Sequence, residues 1–144
     1  MLSNTSKYAL RSLIYLALNG EGDFKIGIRE ISKELSIPMP FLGKIMQTLA
    51  KHKVLASTKG PHGGFSLSKE AHEIFMMEII EIIDGMDSFN TCILGLGDCL
   101  SQANHCAVHE DYALYRENLK KLFESVSLGT LADRLRSGKE DLVL

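Results

Sequence analysis

The stretch Ile26 to Leu55, IGIREISKELSIPMPFLGKIMQTLAKHKVL, decides the fold. Ile28, Ile31 and Leu35 recur at helical steps and form the apolar stripe of a short helix. Ser36-Ile37-Pro38 breaks it, because proline lacks the N–H that a helix interior needs and biases the residue before it away from helical backbone. Pro40 is acceptable again at the start of a second helix, where the missing donor costs nothing. On that second helix Phe41, Leu42, Ile45, Met46 and Leu49 are expected to face inward, leaving Gly43, Lys44, Gln47, Thr48 and Lys51 outward. Two short helices joined by a tight turn, the second with a polar and cationic outer face, match a helix-turn-helix that sets its second helix in the major groove of DNA. An ordinary helical hairpin has the same pattern, so the flanking sequence must separate the two.

Immediately downstream, Val54 to Thr58 reads as a strand, Lys59-Gly60-Pro61-His62-Gly63-Gly64 as a turn and Phe65-Ser66-Leu67 as a returning strand. This is a wing. Its glycine-rich tip allows close backbone approach to DNA and carries Lys59 toward flanking phosphates or a minor groove. The candidate DNA-binding residues are therefore Pro40, Gly43, Lys44, Gln47, Thr48 and Lys51 on the helix, with Lys59, Gly60 and His62 at the wing. The same glycines fit neither GxxxxGKS/T nor a GxGxxG opening a helix, which argues against a nucleotide loop.

Upstream, Leu10, Leu13, Ile14, Ala17 and Leu18 predict a first helix capped by Thr5 and stopped at Asn19-Gly20. After the wing, Ile74 to Ile83 predicts a buried helix, preceded by a last short strand and ending at Asp84-Gly85. Residues 86–108 lose periodicity and read as a loop. Beyond it, HEDYALYRENLKKLFESV begins with Glu110 and Asp111 and later carries Lys120 and Lys121, as the helix dipole favours. Tyr112, Tyr115, Leu119, Leu122, Phe123 and Val126 form one apolar stripe, expected to pair with the same helix of a second subunit. Ser127-Leu128-Gly129 ends this helix, and a last short helix follows, capped by Thr130 and using Leu131 and Leu135.

The loop holds all three cysteines, in CILGLGDCLSQANHCAVH from Cys92 to His109. Six residues separate Cys92 from Cys99 and Cys99 from Cys106, and His109 follows at a spacing of three. Four soft or borderline donors in eighteen residues point to a metal or cluster site. Tetrahedral zinc and no metal remain as alternatives, although the CxxC pairs usual for zinc are missing. His105 reads as a solvated loop residue.

Composition limits what such a site can serve. The 144 residues, 45% hydrophobic, make about one domain with an ordinary core. No apolar run reaches a membrane span and MLSNTSKYAL lacks the pattern of a secretory signal, so a cytoplasmic protein with reduced thiols is expected. Residues 1–70 carry ten Lys or Arg against five Asp or Glu, and residues 71–144 six against thirteen. A basic half joined to an acidic half permits one face to meet phosphates. No paired acid and base, nucleotide loop or CxxC supports an enzyme.

Lys7-Tyr8-Ala9-Leu10, the Ile28 to Leu35 helix, Gly60-Pro61-His62-Gly63-Gly64-Phe65, the three spaced cysteines and Ser127-Leu128-Gly129-Thr130-Leu131 together resemble the IscR and NsrR type of bacterial winged-helix transcription regulator. The resemblance runs over about residues 1–135. It implies a homodimer whose long helices cross, double-stranded promoter DNA as partner, and an iron-sulfur cluster, 2Fe-2S or 4Fe-4S, held by Cys92, Cys99 and Cys106. It further implies His109 as fourth ligand, as in IscR-like members. NsrR-like members use an acid from the partner's first helix, and the nearest position here is Tyr8. The signal implied is redox, nitric oxide or iron-sulfur status. The cysteine gaps are one residue wider than the usual ones, and position 43 is glycine where IscR-like relatives carry a base-reading glutamate. The alternative is the same regulator with zinc or no cluster, controlled by a small molecule or partner protein.

The expected fold is mainly α with a small β wing, a winged helix-turn-helix with a long C-terminal dimerisation helix. Residues 1–84 are expected to form the DNA-binding domain, 85–108 a cysteine-containing sensor loop, 109–136 the dimerisation helix and short C-terminal helix, and 137–144 a mobile tail. No membrane partner is expected.

Overall fold

Helix α1 (Asn4–Asn19) is the element on which the others pack. In the computed structural model, which describes residues 2–20, 24–97, 105–138 and 144, its buried side chains are Ser6, Ala9, Leu10, Ser12, Leu13, Leu16 and Ala17. Four of these are small, so neighbouring backbones approach closely. The cap is Ser3 rather than Thr5: its hydroxyl accepts from the Ser6 amide at 3.0 Å. Ser3 also donates its amide, at 3.0 Å, and its hydroxyl to the Asp84 carboxylate. Burial works against that carboxylate, but these bonds outweigh it and hold its pKa below the ordinary value. At the other end of α1, Arg136 Nη2 donates to the carbonyls of Ala17 and Leu18 at 2.8 and 3.2 Å.

The two short helices and the wing follow the expected order. Helix α2 (Ile28–Leu35) ends in Ser36, held left-handed at φ 52° and ψ 40°, and the chain turns through buried Ile37 into α3 (Met39–Lys51). The Ser32 hydroxyl closes this turn by donating to the Ile37 carbonyl at 2.7 Å. Strands β1 (Leu55–Thr58) and β2 (Gly64–Leu67) pair antiparallel, Leu55 opposite Leu67 and Thr58 opposite Gly64. Ile26 extends the wing as a single bridge, exchanging two 2.9 Å hydrogen bonds with Phe65.

Downstream, a 3-10 turn (Ala71–Glu73) stands where a last strand was expected. Strand character survives as one bridge, Phe75 with Ser127, in which Met76 N–H donates to Val126 O at 3.0 Å and Leu128 N–H to Ile74 O at 2.8 Å. Helix α4 (Met76–Asp84) buries Met77, Ile79 and Ile80. A four-residue helix α5 (Asp87–Asn90) then occupies part of the expected loop. Helix α6 (His109–Ser125) is the long one, and α7 (Leu128–Arg136) is capped by the Ser127 hydroxyl, which accepts from the Thr130 amide at 3.2 Å, not by Thr130. The mainly helical fold with one small antiparallel wing is as expected; most of the 137–144 tail lies outside the described residues.

On α6 the single expected stripe divides in two. Tyr112, Arg116, Leu119, Phe123 and Val126 are buried or half-buried, and Phe123 meets Phe89 of α5 edge to face at 6.1 Å and 71°. Leu114, Tyr115 and Leu122 stand 64%, 71% and 49% exposed.

The wing root is the tightest backbone contact. Gly64 has φ 156°, and a Cβ there would lie 2.6 Å from Ile26 O, which cannot swing aside. Gly64→Ala should therefore cost about 2 kcal/mol or more, of the order of other strained or overpacked substitutions. Gly27→Ala, at φ −70° with nothing within 4 Å, should cost roughly 0.5 kcal/mol as a helix cap. Urea denaturation of both variants checks this; equal midpoints would remove the wing-root contact as a constraint.

Candidate functional site

Two regions carry chemistry-bearing side chains. The first is the outer face of α3 with the wing tip. Burial of Leu42, Ile45, Met46 and Leu49 leaves Pro40, Lys44, Gln47 and Lys51 exposed. Thr48 is half-buried and its hydroxyl donates to the Lys44 carbonyl at 3.0 Å. Gly43 is half-buried against α2, where a Cβ would meet Ile28 Cδ1 at 3.8 Å. Lys59, Gly60 and His62 are exposed at the wing tip, and Gly60 takes φ 110°, a conformation favouring glycine. Lys25, a cation that sequence reasoning passed over, donates to the Thr58 hydroxyl at the end of β1.

Phe41 departs from the expectation of an inner-face residue: it is 62% exposed. It lies in the first turn of α3, beside the fully buried Leu42. With Tyr8, Lys44, Thr48, Ile82 and Ile83 it borders a cavity of about 400 Å³.

The second region is the cysteine loop. Cys92 is buried just after α5, in a tight turn where its amide donates to Gly97 O at 2.8 Å and its carbonyl accepts from Gly95 at 2.9 Å. Cys106 is half-buried, and its carbonyl accepts from the His109 amide at 3.0 Å, which sets both side chains at the start of α6. Cys99 lies outside the described residues. His105, expected as a solvated residue, is exposed but stacks on His109 with centroids 3.6 Å apart and rings inclined 14°. Desolvation, then the positive charges of His105 and Arg116, lower the His109 pKa below the usual imidazole value. The shift favours the neutral ring, whose lone pair is the donor a metal would use.

The donor chemistry suits iron or zinc: thiols at Cys92 and Cys106 and an imidazole at His109. Among the described residues, however, no three His, Cys, Asp or Glu side chains are gathered closely enough to hold a metal ion. Cys92 stands at one end of the loop and Cys106 with His109 at the other.

Arg116 joins the two ends, and sequence reasoning missed it. It borders a cavity of about 370 Å³ together with Cys92, Thr91, Ile93, Tyr112 and Leu119, and its charge reaches His109. The signal was available in the heptad steps from His109 through Tyr112, Arg116, Leu119 and Phe123, where a cation occupies a core position.

Comparison with known proteins agrees with this architecture. The Rrf2 family model, described as an iron-dependent transcriptional regulator, matches residues 2–134. A putative HTH-type transcriptional regulator of Aquifex aeolicus is 38% identical over 132 residues, covering 91% of this chain and 90% of that protein. The HTH-type regulator IscR of Cronobacter sakazakii is 27% identical, covering 92% and 80%. Among solved structures, CymR, the global cysteine regulator of B. subtilis, superimposes with a TM-score of 0.78 at 21% identity over 93% of this chain and 97% of that one. IscR of T. potens gives 0.74 at 16% identity over 99% and 93%.

The His109 environment yields a direct expectation. In a proton NMR titration of the metal-free protein its ring should protonate with a midpoint below 6.5. A midpoint at or above that value would contradict the desolvated and cationic surroundings described.

Proposed function

The chain belongs to the Rrf2 family of transcriptional regulators, so that it is a DNA-binding regulator and not an enzyme; on that premise we propose that it reads promoter DNA as a homodimer and senses redox, nitric oxide or iron-sulfur status through a labile cluster on its 92–109 loop. On this reading residues 1–84 are the DNA-binding domain, 85–108 the sensor loop, and 109–136 the dimerisation and C-terminal helices. Lys44, Gln47 and Thr48, with Pro40, Gly43 and Lys51, face the major groove. Lys59, Gly60 and His62 meet the flanking backbone or minor groove.

The observation that carries the sensor reading is that Cys92 and the pair Cys106 and His109 flank the junction between the head and α6. Cys92, Cys99 and Cys106 would hold the group as thiolates, with His109 as fourth donor. An iron-sulfur cluster supplies a redox-active centre whose potential responds to its ligands, charge and exposure. The protein's own part is mechanical. Fixing the loop fixes α5 against α6, already in contact through Phe89 and Phe123. The far end of α6 is bonded to the entrance of α4 through Met76 and Leu128, so a change at its start tilts it about a held end. A coupling of about 1–3 kcal/mol is enough to shift DNA affinity several-fold to a hundredfold.

Dimerisation is supported by the second face of α6. Leu114, Tyr115 and Leu122 are large apolar residues left uncovered on one helix, and a two-fold axis through such a face buries the same residues from both copies.

A second reading has its own support. The cavity bordered by Tyr8, Phe41, Lys44 and Thr48 would give a small molecule access to the reading helix, and the described donors are not gathered. The same regulator would then be controlled by a small molecule without a cluster.

Lys44→Glu and Lys59→Glu should each weaken binding to duplex DNA, about tenfold or more at moderate salt, and reduce the salt dependence by roughly one counterion. Fluorescence anisotropy across a salt series measures both; an unchanged slope would remove that lysine from the interface. Anaerobically purified protein should contain iron and sulfide and absorb in the visible, and Cys92→Ala or Cys106→Ala should abolish the absorbance. A colourless anaerobic wild type without iron or sulfide would overturn the cluster and leave the second reading.

A further inference from the structure

A cavity of about 400 Å³ opens where α3 meets α1 and the end of α4. Pro38, Phe41, Ile45, Ile82 and Ile83 supply its apolar lining, and Tyr8, Lys44 and Thr48 bring polar groups to its border. That volume is at the small end of the range for ligand sites, and an apolar concavity with a few convergent polar groups is their usual composition. Phe41 stands beside it 62% exposed, so a large aromatic surface stays in water until something covers it.

Charge selects the occupant. Among the described residues lining the cavity Lys44 is the one charged group, and no described carboxylate pairs with it. Asp84, next in sequence to Ile83, does not line the cavity and is already bonded to the Ser3 amide and hydroxyl at the N-terminus of α1. The positive end of α1 is therefore answered within the chain, and the Lys44 ammonium is not. The Tyr8 hydroxyl also has no hydrogen-bond partner among the described residues, which adds a second donor. The apolar residues that a second copy would cover, Leu114, Tyr115 and Leu122, lie on α6, and no described residue of α6 borders this cavity.

We propose that the cavity is an effector site for a small amphipathic anion, a single carboxylate or sulfonate on an apolar, ring-bearing body, and that this occupant and DNA exclude each other. This rests on the small-molecule reading given above and supplies its ligand class. The apolar body covers Phe41, Ile82 and Ile83, an aromatic ring being the natural partner of Phe41, while the anionic head meets the Lys44 ammonium and the Tyr8 hydroxyl. Lys44 then no longer serves a phosphate. The added negative charge stands on the helix assigned to the major groove, where it repels the DNA backbone. Occupancy therefore releases DNA.

The test uses the full chain and two fluorescent dyes of similar shape, anionic anilinonaphthalenesulfonate and its neutral analogue phenylnaphthylamine. Wild type should bind the anion about fivefold more tightly than the neutral dye, Lys44→Gln should lose that preference, and Phe41→Ala should weaken both dyes about tenfold. Both replaced side chains are exposed, so the core is left in place. At fixed ionic strength, saturating sulfonate should weaken binding to a duplex selected by the wild-type protein from a random pool at least several-fold, and in Phe41→Ala the affinities with and without sulfonate should agree. Equal affinity of wild type for the two dyes overturns the anionic class and leaves the small-molecule reading standing. Dye binding that neither substitution alters overturns the site, as does a Phe41→Ala chain that passes from dimer to monomer in sedimentation, which would mark the cavity as covered by a second copy. DNA bound equally with and without sulfonate by a wild type that holds the dye overturns the exclusion. If wild type binds neither dye, the small-molecule reading fails and the proposal with it; if it binds no duplex, the DNA reading fails and the exclusion with it.

Discussion

Burial of α1 on nearly every side is the constraint from which the rest of the architecture follows. Ala9, Leu13 and Leu16 are shared by a core that includes Ile31, Leu42, Met46 and Leu49 from the reading head, Ile79 and Ile80 from α4, and Leu128 from α7. Truncating such a leucine to alanine costs about 2–5 kcal/mol, a large part of the stability of a domain this size. The two ends of α1 are tied as well, to Asp84 of α4 and to Arg136 of α7. Head and C-terminal helices therefore do not form independent units joined by a linker. They share one core, and a displacement in either is felt by the other.

Two isolated backbone bridges give that shared core its mechanics. Ile26 with Phe65 anchors the wing to the chain just ahead of α2, so wing and reading helix keep one relative setting. Phe75 with Ser127 pins the α6 to α7 junction to the entrance of α4. Helix α6, about 25 Å long at 1.5 Å per residue, is thus held at its C-terminal end and begins at the donor-bearing loop.

Much of this was legible in the sequence wherever the signal is local. Ile28, Ile31 and Leu35, followed by Ser36-Ile37-Pro38, fix a helix and its stop within one short stretch, and the glycine-rich tip between Thr58 and Phe65 fixes the wing. Features decided by distant partners were not. Both Ser3 and Thr5 can cap a helix, and the choice is made by Asp84, far along the chain. Phe41 has the right step to Ile45 for the inner face, but it stands at the rim of an open cavity while its neighbour Leu42 takes the buried place in that turn. Helix α5 is too short to show a period. On α6, reading Tyr115 and Leu122 into one stripe concealed two faces and hid Arg116 in the inner one. The spacing of Cys92, Cys106 and His109 does not encode how closely they approach in space, and Cys99 lies outside the described residues.

The central claim is that the state of the 92–109 loop sets the affinity of the reading head for DNA. The most direct measurement is the binding affinity for a duplex selected by the protein from a random pool, taken by anisotropy at fixed salt on one preparation before and after its iron is removed by chelation. The account expects the two affinities to differ by at least several-fold, with no change in the controls Cys92→Ala and Cys106→Ala. Equal affinities in an iron-loaded and an iron-stripped wild type would contradict it.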